Sequence, residues 1–357
     1  MKRGILILVL ACLFATIVLA QPPAGYYLTA EGKTGLELKQ ALHNIIDGHT
    51  ESTYTDLWTH FRTADDKSDG YVWDMYSDKP GLTPPYVYIF GDNQCGNYTK
   101  EGDCYNREHS FPKSWFGGEI LPMYTDLFHV YPTDGWVNNK RGNYPFGEVS
   151  SATWTSLNGS KLGANTWPGY SGTVFEPIDA YKGDFARSMF YMAARYYSED
   201  ASWPGSEMVT GAEPKSWAVA MLLNWHNADP VSPKETERND AVYTIQGNRN
   251  PFIDKPEYAT YIWGDPSAAD ETIYGRSRPV VYPVPARDRI SISFPGEFSG
   301  GVKIRLTTLA GRVVTIIEDG GSGGDLTVDL SLLEGGLYLL IIECNSLRYG
   351  YLIPVIR

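Results

Sequence analysis

The amino-acid sequence predicts an α+β protein in two parts, a helix-rich body followed by a small all-β sandwich. Three observations carry this. Apolar residues recur at intervals of three and four between residues 35 and 46, and again beyond Asp184, the period of a helix with one buried face. From Ile290 the period changes to two, with turn residues between short runs, as half-buried strands require. Between these regimes, residues 264–278 are rich in Pro, Gly, Ser and charge, the composition of a linker.

The 357 residues are 43% hydrophobic and 13% aromatic, enough for one large core or two modest ones and inconsistent with global disorder. The first twenty residues stand apart. Met1-Lys2-Arg3 is basic, Gly4 to Leu19 is almost wholly apolar, and Val18-Leu19-Ala20 ends the run on a signal-peptidase pattern. This predicts a signal peptide over 1–20, cleaved before Gln21, and no retained transmembrane segment. A retained anchor is the alternative, but the run is shorter than the ~20 residues a spanning helix prefers. Export fits the cysteines. Cys12 leaves with the signal and Cys344 lies alone near the end, while Cys95 and Cys104 frame a polar loop. In an oxidising compartment that pair predicts a disulfide. Metal binding is the alternative, unsupported by any CxxC spacing or flanking histidine.

In order along the body, Leu38, Ala41, Leu42, Ile45 and Ile46 predict a helix capped near Gly48, and Leu57, Trp58 and Phe61 a short second one. Val87 to Phe90 reads as a strand. A helix is expected after Asp184, carrying Met189, Phe190, Ala193, Tyr196 and Tyr197, and another through Trp217–Trp225. Ser232 with Glu235 three residues on is a capping box, Pro233 occupies the first helical position, and Gly247 ends that helix. Residues 21–263 therefore form the body. Residues 279–357 form the β domain, with strands expected at 290–294, 302–306, 313–317, 326–330, 337–342 and 351–353.

The chemistry concentrates in two stretches, "CYNREHSFPKSW" (104–115) and "TDLFHVYPTDGWVNNKRGNYPFGEV" (125–149). A strand ending in Glu108-His109, a second strand over Phe128–Tyr131 and a short helix beginning at Pro132-Thr133-Asp134 make a ββα unit. Such a unit brings a histidine, a carboxylate and the amide oxygen of Asn138 or Asn139 around one small volume. Oxygen ligands from Glu and Asn suit a hard cation such as Mg²⁺, and a histidine with an ordinary pKa near 6.5 can take a proton from water at neutral pH. Singly these residues are ordinary polar neighbours; the ordered combination is what is specific. His129 and His226 have bland readings, the first as a packed strand residue and the second bonding a helix end or loop.

"REHSFP", then "DL" with "VYP", then "VNNKRGNYPFGE" resemble the bacterial endonuclease I family of secreted or periplasmic nucleases, which carry a His-Me finger (ββα-metal) site. "KGDFARSMFYMAARY" and "WHNADPVSPKETERNDAVYTIQGNRNPFID" extend the resemblance over roughly residues 25–263. The resemblance implies that residues 21–263 are an endonuclease I-like catalytic domain with a ββα-metal core. It implies His109 as general base, Glu108 and Asn138 as ligands of one divalent metal, Mg²⁺ foremost with Ca²⁺ or Mn²⁺ as alternatives, and DNA or RNA as substrate. Asn138, which directly follows valine, fits the motif better than Asn139. Phe128 stands where many relatives have histidine. The loop 117–124 is short and lacks an arginine that some relatives use on phosphate, leaving Arg141, Arg187 and Arg249 as candidates, Arg187 reading rather as a structural ion-pair partner. "VYPVPARDRISISF", "LTTLAGRVV" and "DLSLLEGGLYLLII" resemble the Por-type (type IX) secretion tail, with Pro283-Val284-Pro285 for the usual Pro-Asn-Pro and Arg357 for a terminal lysine. That implies a secreted or cell-surface protein whose partners include the type IX machinery.

The charge runs the other way. With 30 basic and 42 acidic residues the chain carries a formal −12, which argues against long-range steering of a polyanion and against a broad basic face. The reading is a secreted, metal-dependent, nonspecific endonuclease. Its rivals are a surface-attached binding protein on a nuclease-like scaffold and a phosphoesterase for a smaller substrate.

Overall fold

The helices of the body form where one face can be buried, and they assemble around a single aromatic-rich core. The computed structural model describes residues 22–67, 69–264, 279–294, 302–308, 312–319, 326–344 and 347–357; the expected signal peptide and all but the first residue of the expected linker lie outside them. In α1 (Gly35–Ile46), Leu38, Leu42 and Ile46 are buried at successive turns, and α2 (Leu57–Ala64) buries Leu57, Phe61 and Ala64. The central α4 (Lys182–Arg195) is buried along its whole length. It packs on α1, on α5 (Ser216–Ala228) and on α7 (Pro251–Asp254), and it reaches α6 (Pro233–Gln246) through Arg187–Glu235 and α8 (Glu257–Trp263) through Phe190–Trp263. The capping box forms as expected: Ser232 Oγ accepts from the Glu235 amide at 3.1 Å, the Glu235 carboxylate accepts from the Ser232 amide at 2.8 Å, and Gly247 closes the helix with φ +80°.

Two strands and a helix follow one another in the middle of the body. β1 (Tyr105–His109) pairs antiparallel with β2 (Val130–Asp134), Glu108 opposite Tyr131 and His109 opposite Val130, and α3 (Gly135–Arg141) follows directly. The second strand and the helix both start later than the sequence pattern suggests. Asp126 holds the chain in a turn, its Oδ1 accepting from the Phe128 amide at 3.0 Å and its carbonyl from the His129 and Val130 amides, so pairing begins only at Val130. Asp134 caps the helix: its Oδ1 accepts from the Val137 amide at 2.7 Å. Cys95 and Cys104 form the expected disulfide with a Cα–Cα distance of 5.8 Å, joining the preceding loop to the start of β1.

Val87–Phe90 is not a strand. Ile89 makes one isolated bridge with Tyr71, its amide donates to the Asn93 side chain at 2.8 Å, and Gly91 at φ +89° turns the chain away. Strand-forming residues that meet a partner over only one bridge do not make a ladder. The three-stranded sheet β3 (Val149–Thr155), β4 (Lys161–Asn165) and β5 (Thr173–Glu176) is not anticipated, nor is the small β6 (Val209–Thr210) and β7 (Glu213–Pro214) pair.

The C-terminal domain has its own core. Strands β8 (Val280–Tyr282), β9 (Arg289–Ser293) and β12 (Leu326–Asp329) make one antiparallel sheet. The other contains β10 (Val302–Thr308), β11 (Val313–Asp319), β13 (Gly336–Cys344) and β14 (Leu347–Val355). Ile290 and Ile292 from the first meet Ile304, Leu306, Leu340, Ile342 and Ile353 from the second in one buried cluster, the arrangement of a sandwich. Among the described residues no helix is long and apolar enough to cross a membrane.

Candidate active site

Successive residues of a strand project to opposite faces, and Glu108 and His109 do so. His109 is 8% exposed. Its Nε2 lies 3.0 Å from the carbonyl oxygen of Tyr124. A carbonyl can only accept, so in the neutral ring the proton sits on Nε2 and the lone pair on Nδ1. No described group bonds Nδ1, and it is not among the enclosed unpaired atoms. The ring lies parallel to that of Tyr124, centroids 5.2 Å apart, and Tyr54 stacks on Tyr124 at 4.3 Å. Burial pushes the His109 pKa down to about 3, helped by the positive potential of neighbouring His129, so the imidazole is neutral at pH 7.

Glu108 points towards the core side, 2% exposed. Oε1 accepts from Tyr76 Oη at 2.9 Å and faces Arg141 Nη1 at 3.6 Å. Burial pushes its carboxyl up to about 7, against the opposing pull of Arg141 and the Tyr76 hydroxyl. Oε2 has no described partner and is not enclosed.

Asn138 is on the face of α3 that meets β1. Its Nδ2 donates to Asn106 Oδ1 at 2.8 Å and towards the Arg107 carbonyl at 3.4 Å. The carbonyl fixes which end of the amide is nitrogen, so Oδ1 faces away from these partners and is unpaired among the described residues. Asn139, one helical step round, is exposed. A carboxylate oxygen and an amide oxygen, both uncommitted, on side chains already anchored by their other atoms, fit a hard divalent cation. The raised Glu108 carboxyl fits it too, because a nearby cation favours the ionised form.

The three arginine candidates are all engaged elsewhere. Arg141 is fully buried, donating to the carbonyls of His109 (3.2 Å), Ser110 (2.6 Å) and Gly142 (3.2 Å). It pins the end of β1 to α3 and lies behind Glu108. Arg249 is tied to Asp254 at 2.7 and 2.8 Å and to Asp240 at 2.7 Å, and shares no described partner with Glu108, His109 or Asn138. Arg187 grips Glu235 and the Asp229 carbonyl, the structural role expected of it. His226 Nε2 bonds the Pro256 carbonyl at 2.9 Å, as its bland reading has it. His129 is fully buried with Nε2 at 2.6 Å from the Met123 carbonyl, its ring 5.6 Å from that of His109.

The sequence reading missed Tyr76, Tyr54, Tyr124 and Arg107. Arg107 alone left a signal, since it lies two residues before His109 on a strand and therefore on the same face. The tyrosines reach the site from distant segments. A further group of potential ligands, His43, Asp47 and Glu199, has its atoms within 4.8 Å of one another. Arg195 Nη1 sits between its carboxylates at 2.9 and 2.7 Å and supplies the positive charge there.

With this geometry in view, the chain belongs to a family of nucleases: residues 34–257 match the Endonuclease I family. Residues 280–349 match the secretion system C-terminal sorting domain, so the protein is a secreted one. It is 36% identical over 248 residues to the extracellular ribonuclease of Bacillus amyloliquefaciens and 38% over 248 residues to that of Bacillus subtilis, covering 67% of this chain and 78% of each relative. An Endonuclease-1 of Buchnera aphidicola is 26% identical over 129 residues, 36% of this chain and 46% of the relative.

Proposed function

We propose that this secreted nuclease is a metal-dependent, sequence-nonspecific endonuclease that hydrolyses internal phosphodiester bonds of RNA and DNA, with His109 as general base at a His-Me finger (ββα-metal) site. The observation that carries the reading is the commitment of His109 Nε2 to the Tyr124 carbonyl, which leaves Nδ1 as the accepting atom on a ring kept neutral by burial. Nδ1 takes the proton of the attacking water, and Tyr124 O stabilises the imidazolium that results by accepting from Nε2–H. Glu108 Oε2 and Asn138 Oδ1 would hold the divalent ion, Mg²⁺ best, with Ca²⁺ or Mn²⁺ as alternatives. When bound, that ion supplies positive charge to the phosphoryl oxygens and the leaving 3′-oxygen. Tyr76 and Arg141 hold the other Glu108 oxygen, so the carboxylate is oriented before substrate arrives.

Attack by water rather than by the ribose 2′-hydroxyl makes the two sugars equivalent to the enzyme and leaves 5′-phosphate and 3′-hydroxyl ends. The Bacillus relatives are named for ribonuclease activity, which brings RNA forward beside DNA. Export through the type IX machinery by way of residues 279–357 accompanies this reading. Purified protein incubated with plasmid DNA and with a long RNA, with and without EDTA, tests it. Cleavage of either that is abolished by EDTA, with 5′-phosphate ends, is the expected result. Metal-independent cleavage, or 2′,3′-cyclic phosphate ends on RNA, would overturn the mechanism.

A further inference from the structure

The candidate arginines are spent on internal partners, yet a phosphodiester substrate needs a positive contact beside the attacked phosphorus. One guanidinium next to the catalytic pair is differently placed. Arg107 is on β1 two residues before His109, hence on the same face of the strand. It is half-buried, with its Cζ 3.5 Å from the centroid of Tyr54 and 4.4 Å from that of Trp58. Nη1 donates to the Tyr54 carbonyl at 2.6 Å. Tyr54 stacks on Tyr124 and Tyr124 on His109, so a continuous row of flat groups runs from Trp58 through Arg107 to the general base.

No ion pair among the described residues involves Arg107, whereas Arg141, Arg187, Arg195, Arg238 and Arg249 each have a carboxylate. Its Nε is enclosed without an acceptor, while Nη2 carries no described bond and is not enclosed. Partial burial of a cation without a counter-ion is unfavourable, and in a chain with 42 acidic side chains a carboxylate partner is chemically commonplace. The stacking rings restrict the guanidinium plane and leave one edge free, the presentation that suits a tetrahedral oxyanion.

We infer that Arg107, held against Tyr54 and Trp58, is the side chain that receives a substrate phosphate beside the Glu108–His109 pair. This rests on the nuclease reading and names the phosphate contact within it. The bound phosphate completes the missing ion pair, and the aromatic row offers stacking surface to the adjoining base. The contact is to the backbone and carries no sequence preference.

The test uses the full mature chain in a His109→Ala background, so that the probe survives, with a fluorescein-labelled single-stranded 12-mer in RNA and DNA forms and Mg²⁺ present. Anisotropy titrations across a range of KCl concentrations give affinity and salt slope. Adding Arg107→Gln is expected to weaken binding about tenfold and to lower the slope of log K against log salt by about 0.7. Arg107→Lys, which keeps the charge but not the fork, is expected to keep the slope and lose affinity severalfold. If Arg107 is only a clamp for the Tyr54 carbonyl, thermal stability falls while affinity and slope are unchanged, and the inference is overturned. Should the glutamine variant not fold, an unchanged affinity in the lysine variant overturns it equally. If the unmodified protein cuts neither nucleic acid, the nuclease reading fails first; if it cuts while Arg107→Gln binds normally, only the Arg107 assignment fails.

Discussion

The backbone carbonyl of Tyr124, 3.0 Å from Nε2 of His109, decides which nitrogen of that histidine is basic. The side chain of the same tyrosine lies parallel to the imidazole at 5.2 Å, so one residue fixes both the tautomer and the ring plane. The segment that presents it is held from below. Asp126, fully buried, accepts from Tyr191 Oη at 2.9 Å, Tyr196 Oη at 2.8 Å and Gln246 Nε2 at 3.1 Å.

Replacing His109 by alanine removes the proposed general base without touching the proposed ligand oxygens. kcat on plasmid or RNA is expected to fall by roughly 10²–10⁴-fold, with KM little changed. Equal turnover by the variant would remove His109 from the chemistry.

Asn138→Leu keeps the size of the side chain but removes Oδ1. The concentration of Mg²⁺ giving half-maximal cleavage is expected to rise by about 10–100-fold, because a hard ion loses one of its few protein ligands. Asn139→Leu, on the exposed side of α3, is the control and is expected to leave that concentration unchanged. A metal requirement that shifts with Asn139 instead would reassign the ligand.

Acid sensitivity is expected from His226. Burial, reinforced by Arg187, lowers its pKa to about 4, whereas the unfolded chain has the ordinary value near 6.5. Between those two values the unfolded chain holds a proton that the folded chain does not, so stability falls as pH drops through this window; above it the ring is neutral in both states. Urea midpoints at pH 7.5 and pH 4.5 measure this. His226→Gln is expected to reduce the acid-induced loss by about 1–3 kcal/mol. An unchanged loss would show that other buried groups set it.

Ser232→Ala deletes the hydroxyl that accepts from the Glu235 amide at 3.1 Å. A loss of about 1 kcal/mol in unfolding free energy is expected, with cleavage unaffected because α6 contributes no side chain to the Glu108–His109 pair. Glu235→Gln should cost more than Ser232→Ala, since Glu235 also closes a buried ion pair with Arg187.

Local patterning determined a good deal here. Helical periodicity located α1, α2, α4 and α5. The Ser232–Glu235 box and Gly247 set the ends of α6, because those contacts span only a few residues. The order of Glu108, His109 and Asn138 placed the three in one strand–strand–helix unit, their proposed roles coming from the family resemblance, and period two with turn punctuation outlined the C-terminal strands. What the sequence could not decide was anything fixed by distant partners. Val87–Phe90 has strand chemistry but meets its partner at Tyr71 and Val72 alone, too short a contact for a ladder. Asp126 delays β2 to Val130 through a side-chain bond. Arg141 and Arg249, plausible phosphate contacts as letters, are consumed by carbonyls and carboxylates that only folding brings to them. Arg107, one place from the Glu108–His109 pair, keeps a free edge because the residues that surround it are rings rather than acids. Charge type is written in the sequence; whether a charge is already paired depends on tertiary packing, since the partner is chosen by proximity in space.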